Sequence, residues 1–299
     1  MVDLLYMDFE KKEVLRKSAE SIFRFIKENL VSVYPEQEAR QIAYILLEDA
    51  FDITKLDILK NKSLPDFDEE KLVEYLRRLA LQEPIQHIVG KTEFLGFEVQ
   101  VSKDVLIPRP ETEELTQKVI DALHAEESNN ANILDIGTGS GCIAIAIKKY
   151  VSESNVFAMD VSERALEVAR NNAKTLKANV EFIQADILKN IEEKLPFFDI
   201  IVSNPPYVTQ LEKEKMRENV LNFDPHLALF VENENYLLFY KAIINFATSH
   251  LKQYGRLFFE INEQFGKEMT LLLKQNNFVE VELLKDFRGK DRFCVGVKN

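Results

Sequence analysis

The sequence predicts an α/β fold: a mainly parallel seven-stranded sheet with an antiparallel hairpin at its C-terminal edge, preceded by a small N-terminal helical bundle and a linking β-hairpin. Three observations lead there. From Lys11 to about Leu81, apolar residues recur at helical spacing. From Ile133 onward, short β-like runs alternate with helical stretches, the pattern of parallel strands joined by right-handed crossovers. Two further β-like runs, Val279–Leu284 and Arg292–Val297, close the chain as the edge hairpin.

In the N-terminal region Ile22, Phe23, Phe25, Ile26 and Leu30 share one stripe. Ala39, Ile42, Ala43, Ile45, Leu46 and Leu47 form a second, and Leu72, Val73, Leu76, Leu79 and Ala80 a third. Breaks fall near Pro35 and across residues 61–65, and Asp68 is a start signal for the last helix. Several short amphipathic helices read as a bundle. It carries no catalytic cluster, so a recognition or support role is expected for residues 1–83. Pro84 ends it. Residues 84–108 read as a linker in which 92–102 form a hairpin turning at Gly96. Pro110 followed by Glu111, Glu113 and Glu114 opens a helix, because proline suits the first turn and acids favour its positive end. The third domain, 109–299, then holds the strands Ile133–Leu134, Val156–Met159, Val180–Ile183, Ile200–Val202 and Gly255–Ile261. Between them lie helices near 142–150, 163–177 and 237–251.

Two constellations carry chemistry. The strand ending in Asp135-Ile136 runs into Gly137-Thr138-Gly139-Ser140-Gly141 and then a helix. Glycines at such a turn let a ligand approach the backbone, and the new helix directs free N–H groups at it. A pyrophosphate fingerprint would need glycine at position 142, which is Cys142. The next strand ends at Asp160, where an acid typically accepts hydrogen bonds from ribose hydroxyls. Asp186 follows the third strand, beside Ile187. A nucleoside without a pyrophosphate is indicated, and that points to S-adenosylmethionine.

The second constellation is Asn204-Pro205-Pro206-Tyr207, directly after the run Phe198–Ser203. The two prolines fix the backbone and remove two donors. The asparagine oxygen and free carbonyls are acceptors for a planar NH2 group, and the tyrosine adds a flat face with a polar tip. The plain alternative for these four residues alone is a proline-rich turn leaving a buried strand.

The whole-chain properties narrow the partners. The 299 residues are 46% hydrophobic and 29% charged, an ordinary globular composition, with a net charge of −12. That balance weighs against unspecific binding to a phosphate backbone. The two cysteines, Cys142 and Cys294, have neither metal-ligand spacing nor a disulfide framework, and the four histidines are scattered, so no metal is expected. Acidic residues near Met1 and the lack of a run of about 20 apolar residues argue against a secretory signal or a membrane span. A cytoplasmic, monomeric protein is expected.

With these motifs in order, the chain resembles the release-factor glutamine methyltransferase family (the HemK/PrmC group). The resemblance rests on residues 83–90 with Glu93-Phe94, on 106–113, on 133–141, on 202–207 and on the segment 223–230. It covers about residues 80–299. It implies a Rossmann-like class I methyltransferase domain and transfer of a methyl group from S-adenosylmethionine, leaving S-adenosylhomocysteine. The acceptor it implies is the side-chain nitrogen (N5) of the glutamine in the Gly-Gly-Gln motif of peptide-chain release factors. Carried over, Gly137, Thr138, Gly139, Ser140 and Gly141 line the methionine end of the cofactor, Asp160 the ribose, and Asp186 with Ile187 the adenine. Phe94 touches the cofactor from the hairpin, and Asn204 stands at the junction of cofactor and substrate. Asn204, Pro205 and Tyr207 take the catalytic role, and with Pro206 they hold the glutamine. Ile187 departs from the aromatic residue common in the family, so aliphatic contact replaces stacking. Arg109 is expected to orient the hairpin or to pair with an acid rather than to act directly in catalysis, Cys142 to pack in its helix, and residues 211–218 to form a solvated helix that also covers the pocket. The rival reading, an adenine-N6 methyltransferase acting on DNA or RNA, uses a similar shelf for a planar NH2. It would need basic and aromatic surfaces to grip a strand.

Overall fold

The computed structural model describes residues 17–125, 130–189, 191, 194–213 and 218–299. Residues 11–16 of the expected first helical stretch and 214–217 of the charged run lie outside the described residues. The chain divides into two compact units, one of residues 1–90 with 217–223, the other of residues 91–216 with 224–299.

In the first unit the helices are α1 (Ala19–Leu30), α2 (Glu36–Phe51), α3 (Lys55–Leu59), α4 (Glu69–Ala80) and α5 (Ile85–Val89). The three apolar stripes become one core, in which Ile22, Ile26, Leu46, Leu47, Leu72 and Leu76 are buried. Asp68 caps α4 by accepting the Lys71 N–H at 2.9 Å. The short α3 is fixed by a capping box: Asp57 N–H donates to the Thr54 hydroxyl, and Thr54 N–H to the Asp57 carboxylate at 3.0 Å.

The second unit begins with the hairpin β1 (Lys91–Phe94) and β2 (Phe97–Gln100). Leu95 and Gly96 between them have φ of 47° and 78°, the paired positive values that a two-residue turn matching strand twist requires. Next come α6 (Pro110–Ala125), β3 (Asn132–Ile136), α7 (Cys142–Tyr150), β4 (Asn155–Asp160), α8 (Glu163–Leu176), β5 (Val180–Gln184) and β6 (Phe198–Ser203). A two-residue strand β7 (Val208–Thr209) leads into α9 (Gln210–Lys213). α10 (Glu218–Phe223) belongs to the first unit. Then follow α11 (His226–Leu229), β8 (Phe230–Val231), α12 (Leu238–His250), β9 (Leu251–Glu260), α13 (Gly266–Gln275), β10 (Phe278–Lys285) and β11 (Asp291–Lys298).

The seven-stranded sheet has the order β10-β11-β9-β6-β3-β4-β5. The five strands from β9 to β5 run parallel, while β11 pairs antiparallel with both β9 and β10. The sheet and its C-terminal edge hairpin are as the sequence predicts. Chain order reverses at β3: β4 and β5 extend one way and β6 and β9 the other. The crevice outside the carboxyl ends of β3 and β6 is therefore the place where an open α/β sheet binds ligands. Two apolar layers cover the faces. Ile133, Val202 and Ile143 lie in one core cluster with α6 and α7 residues, and Leu134, Ile201 and Phe259 lie in the other with Tyr240 and Ile244 of α12. Among the described residues no helix is long and apolar enough to cross a membrane.

Candidate active site

The glycine turn forms because the chain must leave β3 and start α7 within five residues. Gly137, Gly139 and Gly141 have φ of +75°, +55° and +81°, a backbone that only glycine adopts without strain. The turn is held to the end of β4: Gly137 and Thr138 N–H both donate to the Met159 carbonyl, at 2.8 and 3.0 Å. Asp160 binds it from the side, with Oδ2 accepting Gly139 N–H at 2.9 Å and Oδ1 accepting Ser162 N–H at 2.9 Å. Burial raises the Asp160 carboxyl above its usual range, against those backbone hydrogen bonds. Beneath the turn, Asp135 is fully buried and accepts the Thr138 hydroxyl at 2.6 Å. Its other oxygen has no partner among the described residues, and burial pushes the carboxyl up to about 7.

A cavity of about 380 Å³ opens over this turn, within the range of small-molecule sites. Gly137, Thr138, Gly139, Ser140, Asp160, Asp186, Ile187, Asn204, Pro205 and Pro206 all line it, so the structure gathers most of the predicted residues around one space. No atom stands within 4 Å of where a Cβ would lie on Gly137 or Gly139, which leaves their edges open. Asp186 sits at the β5 end with Oδ1 accepting Leu188 N–H at 3.0 Å. Cys142 lines the cavity wall from the first turn of α7; it is buried, and desolvation raises its thiol to about 12, so it stays unreactive.

Three predicted residues do not reach the cavity wall. Phe94 is 1% exposed and lies in the core cluster with Leu115, Val119 and Ile143, because the hairpin turns that face toward α6 and α7. Gly141 caps α7 at its contact with α8, where a Cβ would meet Ala169 Cβ at 3.0 Å; it serves packing. Tyr207 packs against the cluster of Phe259 and Ile261, and its hydroxyl donates to Glu260 Oε1 at 3.0 Å. Burial and the neighbouring Glu260 charge raise that phenol well above its ordinary value.

The acceptor shelf follows β6, beside the glycine turn that follows β3. Ser203 Oγ donates to the Ile136 carbonyl at 2.7 Å and pins the two strand ends together. Asn204 Nδ2 donates to Thr112 Oγ1 at 3.0 Å, and Thr112 donates to Glu260 Oε2 at 2.7 Å. Arg109, also on the wall, pairs with Asp224 at 2.7 Å, the acid pairing being one of the expectations for it. The charged run after the shelf is not merely solvated. Glu212 Oε2 accepts both the Thr209 N–H and hydroxyl, at 2.9 and 2.8 Å, while Glu212 Oε1 accepts the side chains of Asn262 and Gln264 at 3.0 and 2.7 Å.

Sequence reasoning missed Thr112, Asn172 and Glu260. Asn172, 1% exposed, donates to the carbonyls of Ser140 and Gln100 and accepts Gln100 N–H, tying the glycine turn to the hairpin. Glu260 had a readable signal: an acid at the end of the apolar run Leu257-Phe258-Phe259, placed on its strand as Asp160 is on β4.

Comparison with known proteins places the chain in a family. Residues 22–90 match the PrmC N-terminal domain and residues 111–223 the Methyltransferase small domain. The release factor glutamine methyltransferase of Flavobacterium psychrophilum is 45% identical over 267 residues, covering 88% of this chain and 93% of that protein. The protein of the same description from Bacteroides thetaiotaomicron is 40% identical over 273 residues, 91% of this chain and 97% of that one. Among solved structures, a methyltransferase from Pyrococcus furiosus superposes with a TM-score of 0.51 at 18% identity, covering 78% of this chain and all of that one, a likeness of fold. The residues also fit S-adenosylmethionine, the family's methyl donor: open glycine edges, a carboxylate at the β4 end, and apolar wall from Met159, Ala185 and Ile187. The chain thus belongs to the S-adenosylmethionine-dependent release factor glutamine methyltransferase family.

Proposed function

We propose that this protein-glutamine N5 methyltransferase holds its substrate amide on the Asn204-Pro205-Pro206 shelf while Asp160 and the glycine turn hold the methyl donor. When bound, S-adenosylmethionine supplies a methyl group already activated by its sulfonium. The chain's residues then have placement and electrostatics left to perform. An amide nitrogen is a poor nucleophile because its lone pair is delocalised. Hydrogen bonds from its NH2 to Asn204 Oδ1 and the Pro205 carbonyl aim the nitrogen and favour the positive charge it gains. Such alignment is worth on the order of 7–11 kcal/mol at best. Gly137, Thr138, Gly139 and Ser140 border the methionine end, Asp160 the ribose, and Asp186 with Ile187 the adenine. Tyr207 acts through Glu260 rather than by touching the amide. The helical unit of residues 1–90 serves to recognise the release factor, whose Gly-Gly-Gln glutamine is the acceptor, in the cytoplasm.

The observation that carries this reading is the convergence of the glycine turn, Asp160 and Asn204 on one cavity. Labelled S-adenosylmethionine offered in parallel with a release factor, its Gln-substituted form and duplex DNA tests it. Label is expected on the unaltered release factor alone. Label on DNA, or on the substituted protein as readily as on the parent, overturns it.

A further inference from the structure

We infer that Thr112 and Glu260 are positioning residues that set which end of the Asn204 side-chain amide faces the substrate, and so make the site select an NH2 donor. The inference rests on the placement of Asn204 proposed above. Its source is the direction of a hydrogen-bond chain that runs through three elements.

Glu260, the last residue of β9, is 2% exposed, and its two oxygens are separately engaged: Oε2 with Thr112 Oγ1 at 2.7 Å and Oε1 with the Tyr207 hydroxyl at 3.0 Å. Burial raises the Glu260 carboxyl above its usual range, while the hydrogen bonds from Thr112 and Tyr207 and the nearby Arg292 charge favour its ionised form. Ionised, it only accepts, so both hydroxyls donate to it. Thr112, in the first turn of α6 and 4% exposed, has one hydroxyl hydrogen, and Glu260 takes it. Toward Asn204 the Thr112 oxygen therefore presents only lone pairs. The Asn204 amide answers with its donor end, Nδ2 lying 3.0 Å away. That leaves Oδ1, which no group occupies among the described residues, as the end available at the cavity wall.

The opposite orientation is electrostatically blocked. It would set Asn204 Oδ1 against an oxygen with no hydrogen to give, and leave a polar contact at a buried position unmade. The polarity of the shelf is thus written into β9 and α6, far from the motif in sequence. A glutamine brings an NH2 to the acceptor Oδ1. A glutamate in its place brings a carboxylate, lone pair against lone pair. The amide-over-acid choice follows from the same chain. In the variant Glu260→Gln, the new NH2 can donate to Thr112. The Thr112 hydrogen then turns toward Asn204, and the amide can invert.

The test uses the full-length enzyme with a release factor and compares T112V, T112S, E260Q and N204A. Turnover is measured, together with S-adenosylhomocysteine affinity, melting temperature, and binding of the release factor or its Gln→Glu form to the S-adenosylhomocysteine complex. T112V is expected to lower kcat by about 10-fold or more through misalignment, with S-adenosylhomocysteine affinity and folding retained. T112S, which keeps the hydroxyl, is expected to stay near wild type. E260Q is expected to narrow the affinity ratio between the Gln and Glu forms, an effect that loss of packing alone would not give. If T112V turns over normally while N204A is crippled, the chain has no such role and the Asn204 reading stands. If N204A is also normal, the Asn204 reading itself falls. Should E260Q fail to fold, T112V against T112S still decides.

Discussion

Replacing Gly141 by alanine separates the packing function of the glycine turn from its ligand function. The residue has φ +81°, and a Cβ would lie 3.0 Å from Ala169 Cβ, 3.1 Å from Ile145 Cδ1 and 3.3 Å from Ala169 Cα. The Ile145 tip can rotate away. Ala169 cannot, since it is fully buried in α8 and one of the atoms struck is backbone. A left-handed backbone costs an L-residue about 1–2 kcal/mol, and overpacking a fixed interface about 1–3 kcal/mol. Together these give about 2–5 kcal/mol, a fall in melting temperature on the order of 10 °C for a unit of this size. Gly139 is the control. Its φ is +55°, but nothing lies within 4 Å of its Cβ position, which borders the cavity. Gly139→Ala should carry only the backbone cost, a few degrees, and lose affinity for S-adenosylmethionine instead. Thermal melts of the ligand-free proteins and calorimetric titration with the cofactor read the two effects apart. A G141A protein melting within about 2 °C of wild type, or a G139A protein destabilised as much as G141A, would refute the reasoning.

Two other outcomes are expected. Asp160→Asn keeps one oxygen for the N–H groups of Gly139 and Ser162 and sets an NH2 against the other. With hydrogen bonds to a charged acceptor worth about 1.5–3 kcal/mol, cofactor affinity should fall by about 10- to 100-fold, and an unchanged Kd in calorimetry would sink the assignment. Asp135 gives a pH signature. The folded state holds its proton up to about 7, while an unfolded aspartate releases it near pH 4. Stability gained from this group is complete below about pH 4 and is lost as the pH rises toward 7, by up to about 1.4 kcal/mol per unit. Asp135→Asn mimics the neutral form, so its denaturant midpoint should decline less than that of wild type between about pH 4 and 7. Parallel curves for the two proteins would contradict a protonated Asp135.

The sheet was legible because its central strands are buried on both faces and read as short apolar runs between helices. Ile133–Leu134, Val156–Met159 and Ile200–Val202 needed no partner to be recognised. The five-residue helices α3 and α5 were not seen, since one turn is too short for a period to show; the Thr54–Asp57 box was the available signal for α3. Within the site, the features read as short motifs at the ends of predicted strands were found: the glycine turn, Asp160 and the Asn204 shelf. What escaped was long-range. Thr112 and Glu260 stand 148 residues apart, and only strand order brings α6 to the end of β9. Phe94 and Tyr207 were assigned by residue type and motif, but which way an aromatic ring turns from a strand end depends on the layers above and below it.

The pairing of β3 with β6 has a consequence for where rate-altering mutations should be sought. The glycine turn and the Asn204 shelf are the next residues beyond a pair of register partners in adjacent parallel strands, Ile136 opposite Ser203, clasped by the Ser203 hydroxyl. Adjacent strands lie about 4.7–4.9 Å apart, a dimension fixed by the peptide hydrogen bond itself. With methyl donor and amide placed as proposed, the backbone of the sheet is the ruler between them. Side chains such as Thr112 and Glu260 can turn the Asn204 amide and the cavity walls can vary, while the spacing between the two strand ends stays a property of main-chain geometry.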